Sequence, residues 1–247
     1  LLYLNTIQLT VTIIVKILKK IINKFGINIS IYGTYPEFLL HHKIELLFDV
    51  GANSGQYAMH ARDNGYKGKI VSFEPLPDAY EKILKNSKKD LLWTVHNRCA
   101  LGSGTSEMEI NISQNSQSSS MLSMLDSHSS AAPESCYIGK TKTDVITLDS
   151  VFDGYRKNNE KILLKIDVQG FESEVLKGLA LNLKNIFAVE IELSVVPLYE
   201  KQELYDYFFS FFEKNGFTLW SLIPMFKNSK TGELLQFDAI FIKKKLN

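Results

Sequence analysis

The sequence reads Leu-Leu-Phe-Asp-Val-Gly-Ala-Asn-Ser-Gly over residues 46–55. An apolar run ends at Asp49, and Gly51, Asn53 and Gly55 then follow at every second position. The residues after them suit a helix, so the stretch predicts a buried strand, a tight turn and a helix N-terminus. Glycine adopts backbone conformations that other residues avoid, and asparagine also adopts the left-handed one readily. A turn of this kind, at the positive end of a helix, is typical of a site for an anionic ligand group.

The glycine spacing separates two kinds of nucleotide-binding turn. A dinucleotide fingerprint, G-x-G-x-x-G, needs glycine at positions 51, 53 and 56, but Asn53 and Gln56 occupy two of them. A G-x-N-x-G turn after an acidic residue is the looser pattern of sheets that bind S-adenosylmethionine. Because glycine turns follow many strands, the turn alone is weak evidence for either kind of nucleotide-binding site. The acidic residues further along the chain distinguish the two kinds.

Length and composition set the broad class. The chain has 247 residues, of which 45% are hydrophobic and 22% are charged, and its net charge is +1. These values suit one sizeable α/β domain and give no reason to expect a nucleic-acid-binding surface. The two cysteines, Cys99 and Cys136, form neither a disulfide framework nor a metal-ligand spacing. We therefore expect a reducing, cytoplasmic compartment, and no role for either thiol follows from its type.

Residues 1–25 carry apolar side chains at helical spacing, with a basic C-terminal half. The pattern lacks the features of a signal peptide and is too interrupted to span a bilayer. It fits a helix packed on the domain or, as the alternative, an amphipathic helix on the cytoplasmic face of a membrane. We expect residues 1–43 to form this helical segment and a linker, and residues 44–247 to form the main domain.

From residue 44 onward, strand and helix patterns alternate. The predicted strands are 46–50, 69–73, 91–99, 143–148, 161–168 and 186–193, and the predicted helices are 56–64, 77–86 and 172–179. This order predicts an α/β fold with a mostly parallel sheet and helices on both faces. Residues 217–223 and 235–242 flank a turn around Gly232 and predict a C-terminal antiparallel hairpin. Such a hairpin closes Rossmann-like methyltransferase sheets and is absent from ordinary nicotinamide-binding domains.

Residues 113–135 contain ten serines and no aromatic residue. We expect this serine-rich segment to be a long loop or a lid over the sheet. Its His128 has the side chain best suited to proton transfer near neutral pH. A loop histidine is usually solvated, so His128 ranks last among the candidate bases.

Glu74 follows the strand 69–73 and lies nineteen positions after Gly55. At the end of the second strand an acidic side chain reaches the ribose hydroxyls of a bound nucleoside. A carboxylate accepts hydrogen bonds from both hydroxyls, and such charge-assisted bonds are strong. The alternative is a surface glutamate at a strand end, but the register with the glycine turn favours the ribose role.

A third stretch, Leu-Leu-Lys-Ile-Asp-Val-Gln-Gly-Phe-Glu over residues 163–172, places Lys165 and Asp167 in an apolar strand. Glu190 and Glu192 lie on the next predicted strand, so Asp167 and Glu190 are expected to face one cleft at the carboxyl edge of the sheet. Buried charges need a partner or a chemical task. An ion pair of Lys165 with these carboxylates that only holds the strands together is one interpretation, and a catalytic group is the other.

These stretches together resemble the FkbM family of S-adenosylmethionine-dependent methyltransferases over residues 44–242. The matching motifs are D-V-G-A-N-S-G from Asp49, F-E-P from Phe73, A-L-G from Ala100, T-L-D from Thr147, L-K-I-D-V-Q-G-F-E from Leu164, L-K-G from Leu176, E-I-E from Glu190 and F-D-A-I from Phe237. The resemblance implies a Rossmann-like methyltransferase sheet, S-adenosylmethionine as cofactor and O-methylation of a sugar, glycan or natural-product hydroxyl.

The resemblance also implies where the cofactor binds. Its binding residues are expected to be Asp49, Gly51, Ala52, Asn53, Gly55, Glu74, Pro75, Cys99 and Ala100. The turn would hold the methionine part and Glu74 the ribose, while Cys99 and Ala100, at the end of the third predicted strand, would lie beside the adenine.

The catalytic residues are less constrained by the pattern. Asp167 is the first candidate for the general base, Glu190 the second, and Lys165 completes the catalytic set. As an alternative, Asp167 and Glu190 could bind a divalent cation, although two carboxylates make an incomplete site. We predict no metal ligand set.

Two other function classes remain as alternatives: a non-catalytic cofactor-binding protein and an NAD-dependent oxidoreductase. Gln56 and the C-terminal hairpin disfavour the oxidoreductase, and the charged strand edge disfavours a non-catalytic protein. The expected partner is a small-molecule or glycan acceptor and not a nucleic acid. The sequence is also compatible with peripheral membrane contact through residues 1–25 and with a homodimer.

Overall fold

A computed structural model describes residues 35–244 of the chain. The apolar stripe at residues 1–25 lies outside the described residues, so both interpretations of it stay predictions. None of the helices within residues 35–244 is long and apolar enough to cross a membrane.

The elements follow one another in the alternating order that the sequence predicts. The described helices are α1 Tyr35–His41, α2 Gln56–Asp63, α3 Pro77–Ser87, α4 Asp126–Ala131, α5 Leu148–Tyr155, α6 Glu172–Lys177 and α7 Tyr205–Lys214. The strands are β1 Leu46–Val50, β2 Lys69–Phe73, β3 Trp93–Val95, β4 Ala100–Leu101, β5 Ser106–Ser113, β6 Tyr137–Ile146, β7 Ile162–Ile166, β8 Ala188–Ser194, β9 Phe217–Lys227 and β10 Leu234–Lys243.

Seven strands form the main sheet, in the order β3-β2-β1-β7-β8-β10-β9. The first five of these pair in parallel, and β10 runs antiparallel to both β8 and β9. This is a Rossmann-like α/β sheet, and the predicted C-terminal hairpin is confirmed. Because the strand order reverses between β1 and β7, their carboxyl ends open the crevice in which such sheets bind ligands.

Helices cover both faces of the main sheet, and each face has its own apolar core. Phe48 and Leu164 point toward α5 and α7, where they pack with Phe152 and Phe212. Successive residues of a strand face opposite sides, so Leu47 points the other way, into the core formed with α1 and α2. The central strands β1 and β7 are buried along their whole length, which explains their near-continuous apolar sequences.

A second sheet of three strands, in the order β4-β6-β5, stands apart from the main one. It corrects two predictions from the sequence. Of the predicted strand 91–99, only Trp93–Val95 is a strand; Arg98 then donates to the Pro75 carbonyl oxygen at 2.8 Å, and the chain enters the second sheet at Ala100. Of the predicted strand 143–148, residues 143–146 are the end of the longer β6, and α5 begins at Leu148.

The serine-rich segment is folded through its own polar side chains. Asn115 accepts from the Ser113 hydroxyl at 2.8 Å and donates to the Ser118 and Ser135 hydroxyls, both at 3.1 Å. These bonds join the two ends of the segment, and α4 lies between them. The segment predicted as a loop therefore contains a helix and a buried polar cluster.

Candidate active site

The glycine turn between β1 and α2 has the predicted backbone conformation. Gly51, Asn53 and Gly55 all have positive φ, at +77°, +48° and +88°. Gly51 and Ala52 donate their N–H groups to the Phe73 carbonyl oxygen, each at 3.1 Å. Those two bonds attach the turn to Phe73, the last residue of β2, which directly precedes Glu74.

Glu74, at the end of the neighbouring strand β2, holds this turn through hydrogen bonds. Its carboxylate accepts from the backbone N–H of Asn53 at 2.7 Å and from that of Leu76 at 2.8 Å. Burial raises the pKa of Glu74 to about 7, although the two N–H donors act in the opposite direction. A carboxylate offers about four acceptor positions, so Glu74 retains acceptor capacity for a ribose hydroxyl.

The turn of β1 and the turn after β7 touch. A Cβ placed on Gly51 would lie 1.8 Å from the backbone oxygen of Asp167, so only glycine allows this approach. The Asp167 N–H also donates to the Val50 carbonyl oxygen at 3.1 Å. The glycine turn and Asp167 are therefore neighbours at the crevice.

A row of charged side chains crosses the sheet below this point. Register pairs Asp49 of β1 with Lys165 of β7, and Lys165 with Glu190 of β8, so the three side chains share the α2 face. The Lys165 Nζ lies 3.6 Å from Asp49 Oδ1 and 3.4 Å from Asp167 Oδ2. Burial alone would lower the pKa of Lys165, but Asp167, Asp49 and Glu190 raise it above its ordinary value. Lys165 is thus a cation shared by carboxylates.

Asp49 is the most enclosed of these carboxylates. It is fully buried, and burial raises its pKa. Its Oδ2 accepts from the Ser72 hydroxyl at 3.3 Å, while Oδ1 makes no closer contact with a donor within residues 35–244 than the 3.6 Å to the Lys165 Nζ. That contact is longer than an ordinary hydrogen bond, so Oδ1 keeps acceptor capacity beside its ion pair with Lys165.

Glu190, the second candidate base, is closed off by α2. The Tyr57 hydroxyl donates to its Oε2 at 2.6 Å, and only 3% of the residue is exposed. Burial and the negative charge of Asp238 raise the pKa of Glu190 well above its usual range. The Asp167 side chain is 36% exposed, so Asp167 is the more accessible of the two candidate bases.

Gln169 connects Asp167 to the next strand. Its side-chain amide donates to Asp167 Oδ1 at 2.9 Å and to Glu192 Oε2 at 2.6 Å. Glu172, at the start of α6, accepts the N–H groups of Val168 and Gly170 and so holds the turn that carries Gln169. Burial raises the pKa of Glu172 to about 7.

Cys99 and Ala100 are not where the sequence places them. Both are buried at the start of β4 in the second sheet, so the expectation that they end the third strand is wrong. Burial raises the pKa of the Cys99 thiol to about 12. His96 follows β3 instead, and its Nδ1 lies 2.6 Å from the Tyr155 hydroxyl. Pro75 does follow Glu74, and its carbonyl oxygen is bound by Arg98.

His128, the third candidate base, is not the solvated loop residue that the sequence predicts. It lies in α4, with only 3% of the residue exposed, against the rings of Tyr199 and Phe226. Burial lowers its pKa to about 4, against a smaller opposing effect of Glu134. An imidazole enclosed by aromatic rings has no access to an acceptor.

Sequence reasoning missed the way in which the serine-rich segment reaches this crevice. The Asn53 amide donates to the Ser116 hydroxyl at 3.2 Å, and the Ser120 hydroxyl donates to the Gln169 carbonyl oxygen at 2.6 Å. The segment therefore contacts both the glycine turn and the turn after β7. The only signal in the sequence was the serine content, which does not name partners.

Comparison with known proteins agrees with this geometry. The model of the family described as "Methyltransferase FkbM domain" matches residues 49–219, which span β1 to the start of β9. The chain belongs to the FkbM methyltransferase family. The family is described as methyltransferases, and the match covers β7 and both turns of the crevice.

Named relatives and solved structures extend the comparison. The hexuronic acid methyltransferase AglP of Haloferax volcanii is 30% identical over 155 residues, which cover 62% of this chain and 58% of AglP. TehB of Haemophilus influenzae has a TM-score of 0.47 at 9% identity, with 92% of this chain and 67% of TehB covered. A SAM-dependent methyltransferase of Aquifex aeolicus has a TM-score of 0.42 at 14% identity, with 85% and 90% covered.

The residues of this FkbM domain fit the cofactor chemically. Asp49 supplies a buried oxygen whose nearest donor, the Lys165 Nζ, is 3.6 Å away, and Glu74 supplies a carboxylate with spare acceptor positions. These acceptors suit the ammonium and hydroxyl groups of S-adenosylmethionine. No group of three or more His, Cys, Asp or Glu residues within 35–244 has the geometry to hold a metal ion.

Proposed function

We propose that this chain transfers a methyl group from S-adenosylmethionine to a hydroxyl of a sugar, glycan or natural-product acceptor, with Asp167 as the general base. One observation carries the proposal. The Asp167 carboxylate is part-exposed at the crevice, while its own backbone packs against the turn expected to hold the cofactor.

The chemistry needs a carboxylate at this place. An alcohol is a poor nucleophile while protonated, and a positioned base contributes roughly 10²–10⁴ in rate. Asp167 accepts the hydroxyl proton as the acceptor oxygen bonds to the methyl carbon, and the carbon–sulfur bond breaks with its electron pair on sulfur. Bound S-adenosylmethionine supplies the activated methyl group. Lys165 and Gln169 keep the carboxylate oriented.

The charge of the crevice favours a neutral acceptor group. Lys165 is the cation of the charged row within the described residues, and Asp49 and Asp167 already share it. A uronate carboxylate bound at this edge would be repelled by the carboxylates of Asp49 and Asp167, whereas a neutral hydroxyl could give its proton to Asp167. The name of AglP supports a second candidate acceptor, a hexuronic acid, which offers a carboxylate as well as hydroxyls to a methyl donor.

Labelled S-adenosylmethionine with methyl β-D-glucoside and methyl β-D-glucuronide as probes distinguishes the two products. We expect transfer that gives a methyl ether, which survives mild alkali. We expect Asp167→Asn to lower kcat at least about 100-fold and to leave the affinity for S-adenosylhomocysteine, measured by calorimetry, unchanged.

Asp206→Asn, which changes an exposed aspartate of α7, is the matched control and should keep full turnover. Full turnover of Asp167→Asn would remove Asp167 from the mechanism. An alkali-labile product formed only on the glucuronide would replace the hydroxyl acceptor by a carboxylate.

A further inference from the structure

Gln169 lies at the centre of the contacts around Asp167, and its role rests on the proposed function of that carboxylate. We propose that Gln169, held in place by Tyr199, is a positioning residue that orients the Asp167 carboxylate toward the acceptor hydroxyl.

The contacts on the two oxygens of Asp167 define its orientation. Oδ1 accepts from the Gln169 amide at 2.9 Å, and Oδ2 lies 3.4 Å from the Lys165 Nζ. The second hydrogen of the same amide goes to Glu192 Oε2 at 2.6 Å. A single amide thus bridges two carboxylates from neighbouring strand ends and fixes the plane of Asp167.

The Gln169 side chain itself has no freedom to turn. The Tyr199 hydroxyl, which is fully buried, donates to Gln169 Oε1 at 2.8 Å. The same hydroxyl also lies 3.3 Å from the Ser118 carbonyl oxygen. The carboxylates of Asp167 and Glu192 set the orientation of the amide, because a flipped amide would present its oxygen to both. The Tyr199 hydroxyl adds a donor to Oε1 in that orientation and so contacts Asp167 through Gln169.

The backbone of Gln169 is fixed as firmly. Its φ of +56° is a left-handed conformation that glutamine rarely adopts. The Ser120 hydroxyl donates to its carbonyl oxygen at 2.6 Å, and Glu172 binds the N–H of the next residue, Gly170. Strain that is held in this way is common at sites where one side chain must point in one direction.

A purely structural role for Gln169 has a natural comparison in Gln236. Its amide also donates to Glu192 Oε2, at 2.8 Å, and both glutamines are almost fully buried. The contact with Asp167 distinguishes Gln169. Replacement by methionine removes the amide and keeps a similar volume at either position.

The kinetic test compares Gln169→Met with Gln236→Met on the methyl glycoside that wild type methylates fastest. We expect Gln169→Met to lower kcat about 10- to 100-fold, with KM and the affinity for S-adenosylhomocysteine within about twofold of wild type. Gln236→Met should stay within about threefold in kcat. Equal losses in the two variants would overturn the positioning role, since both lose the same bond to Glu192.

A second readout needs no acceptor. Proton–nitrogen spectra identify the Gln169 side-chain amide by its absence in Gln169→Met. We expect this signal to move in Asp167→Asn and in Tyr199→Phe, which keeps the ring and loses the hydroxyl. An unmoved signal in both would overturn the proposal.

The two proposals fail in different ways. If Asp167→Asn is inactive while Gln169→Met is fully active, Asp167 remains the base and the positioning role is wrong. If Asp167→Asn retains turnover while the amide signal moves, the proposed base is wrong although the contact exists.

Discussion

At the scale of single residues, the site depends on one position that tolerates no side chain. Gly51 brings the turn of β1 against the backbone of Asp167, where a Cβ would lie 1.8 Å from the carbonyl oxygen. Gly65, after α2, also has a positive φ, at +94°, but open space surrounds its missing Cβ. Substitutions at these two glycines therefore distinguish the cost of steric overlap, present only at Gly51, from the cost of left-handed backbone strain, present at both.

We expect Gly65→Ala to cost about 1 kcal/mol of unfolding free energy, because only the left-handed strain acts there. Gly51→Ala should cost roughly 3 kcal/mol or more, since strain and overlap with Asp167 add. Urea unfolding measures both, and calorimetry with S-adenosylhomocysteine shows whether the Gly51 variant also loses the cofactor. Equal costs at both positions would mean that the close approach does not matter.

At the scale of elements, α4 packs the serine-rich segment against the rest of the domain through the buried side chain of His128. Tyr199 and Phe226 enclose His128, and burial lowers its pKa to about 4. Between that value and its ordinary value of about 6.5, the unfolded chain binds a proton that the folded chain does not. Acidification through this range therefore favours unfolding.

Glu74 and Glu172, whose pKa values burial raises to about 7, take up protons in the folded state over the same range and act in the opposite direction. The effect of His128 is therefore measured as a difference: we expect the wild-type unfolding free energy to fall by roughly 1–2 kcal/mol between pH 6.5 and pH 4 relative to that of His128→Leu, which lacks the titrating group. His60→Leu, which changes an exposed histidine of α2, is the control and should leave the profile unchanged. Thermal or urea unfolding at several pH values makes the comparison, and identical profiles for His128→Leu and wild type would contradict it.

Among the elements, the apolar strands are the part that sequence reasoning places well. β1 and β2 begin and end where predicted, because each is an apolar run closed by an acidic residue or a turn. The second sheet escaped prediction. β6 exposes half of its residues and carries lysines and threonines, so it shows neither an apolar run nor a clean alternation.

At the scale of the whole molecule, the sequence identifies the charged residues but not how they connect. Lys165, Asp167 and Glu190 were predicted at one sheet edge; the register pairs Lys165 with Glu190 and adds Asp49, which was predicted as a cofactor residue. Tyr57 donates to Glu190, which is 133 positions away in the sequence, and Tyr199 donates to Gln169, which is 30 positions away. Contacts of that kind follow from the packing of helix and segment on the sheet, which residue types alone do not encode.

The charged row has a consequence for turnover. Asp167 is the exposed carboxylate of the row, whereas burial raises the pKa values of Asp49 and Glu190 and so weakens their negative charge. The Asp167 carboxylate would attract a sulfonium at the crevice more than a thioether, so methyl transfer would remove an attraction that retained the cofactor. We expect S-adenosylmethionine to bind more tightly than S-adenosylhomocysteine in paired titrations, with the gap narrowing as salt is added. A domain built in this way releases its own by-product and resists product inhibition.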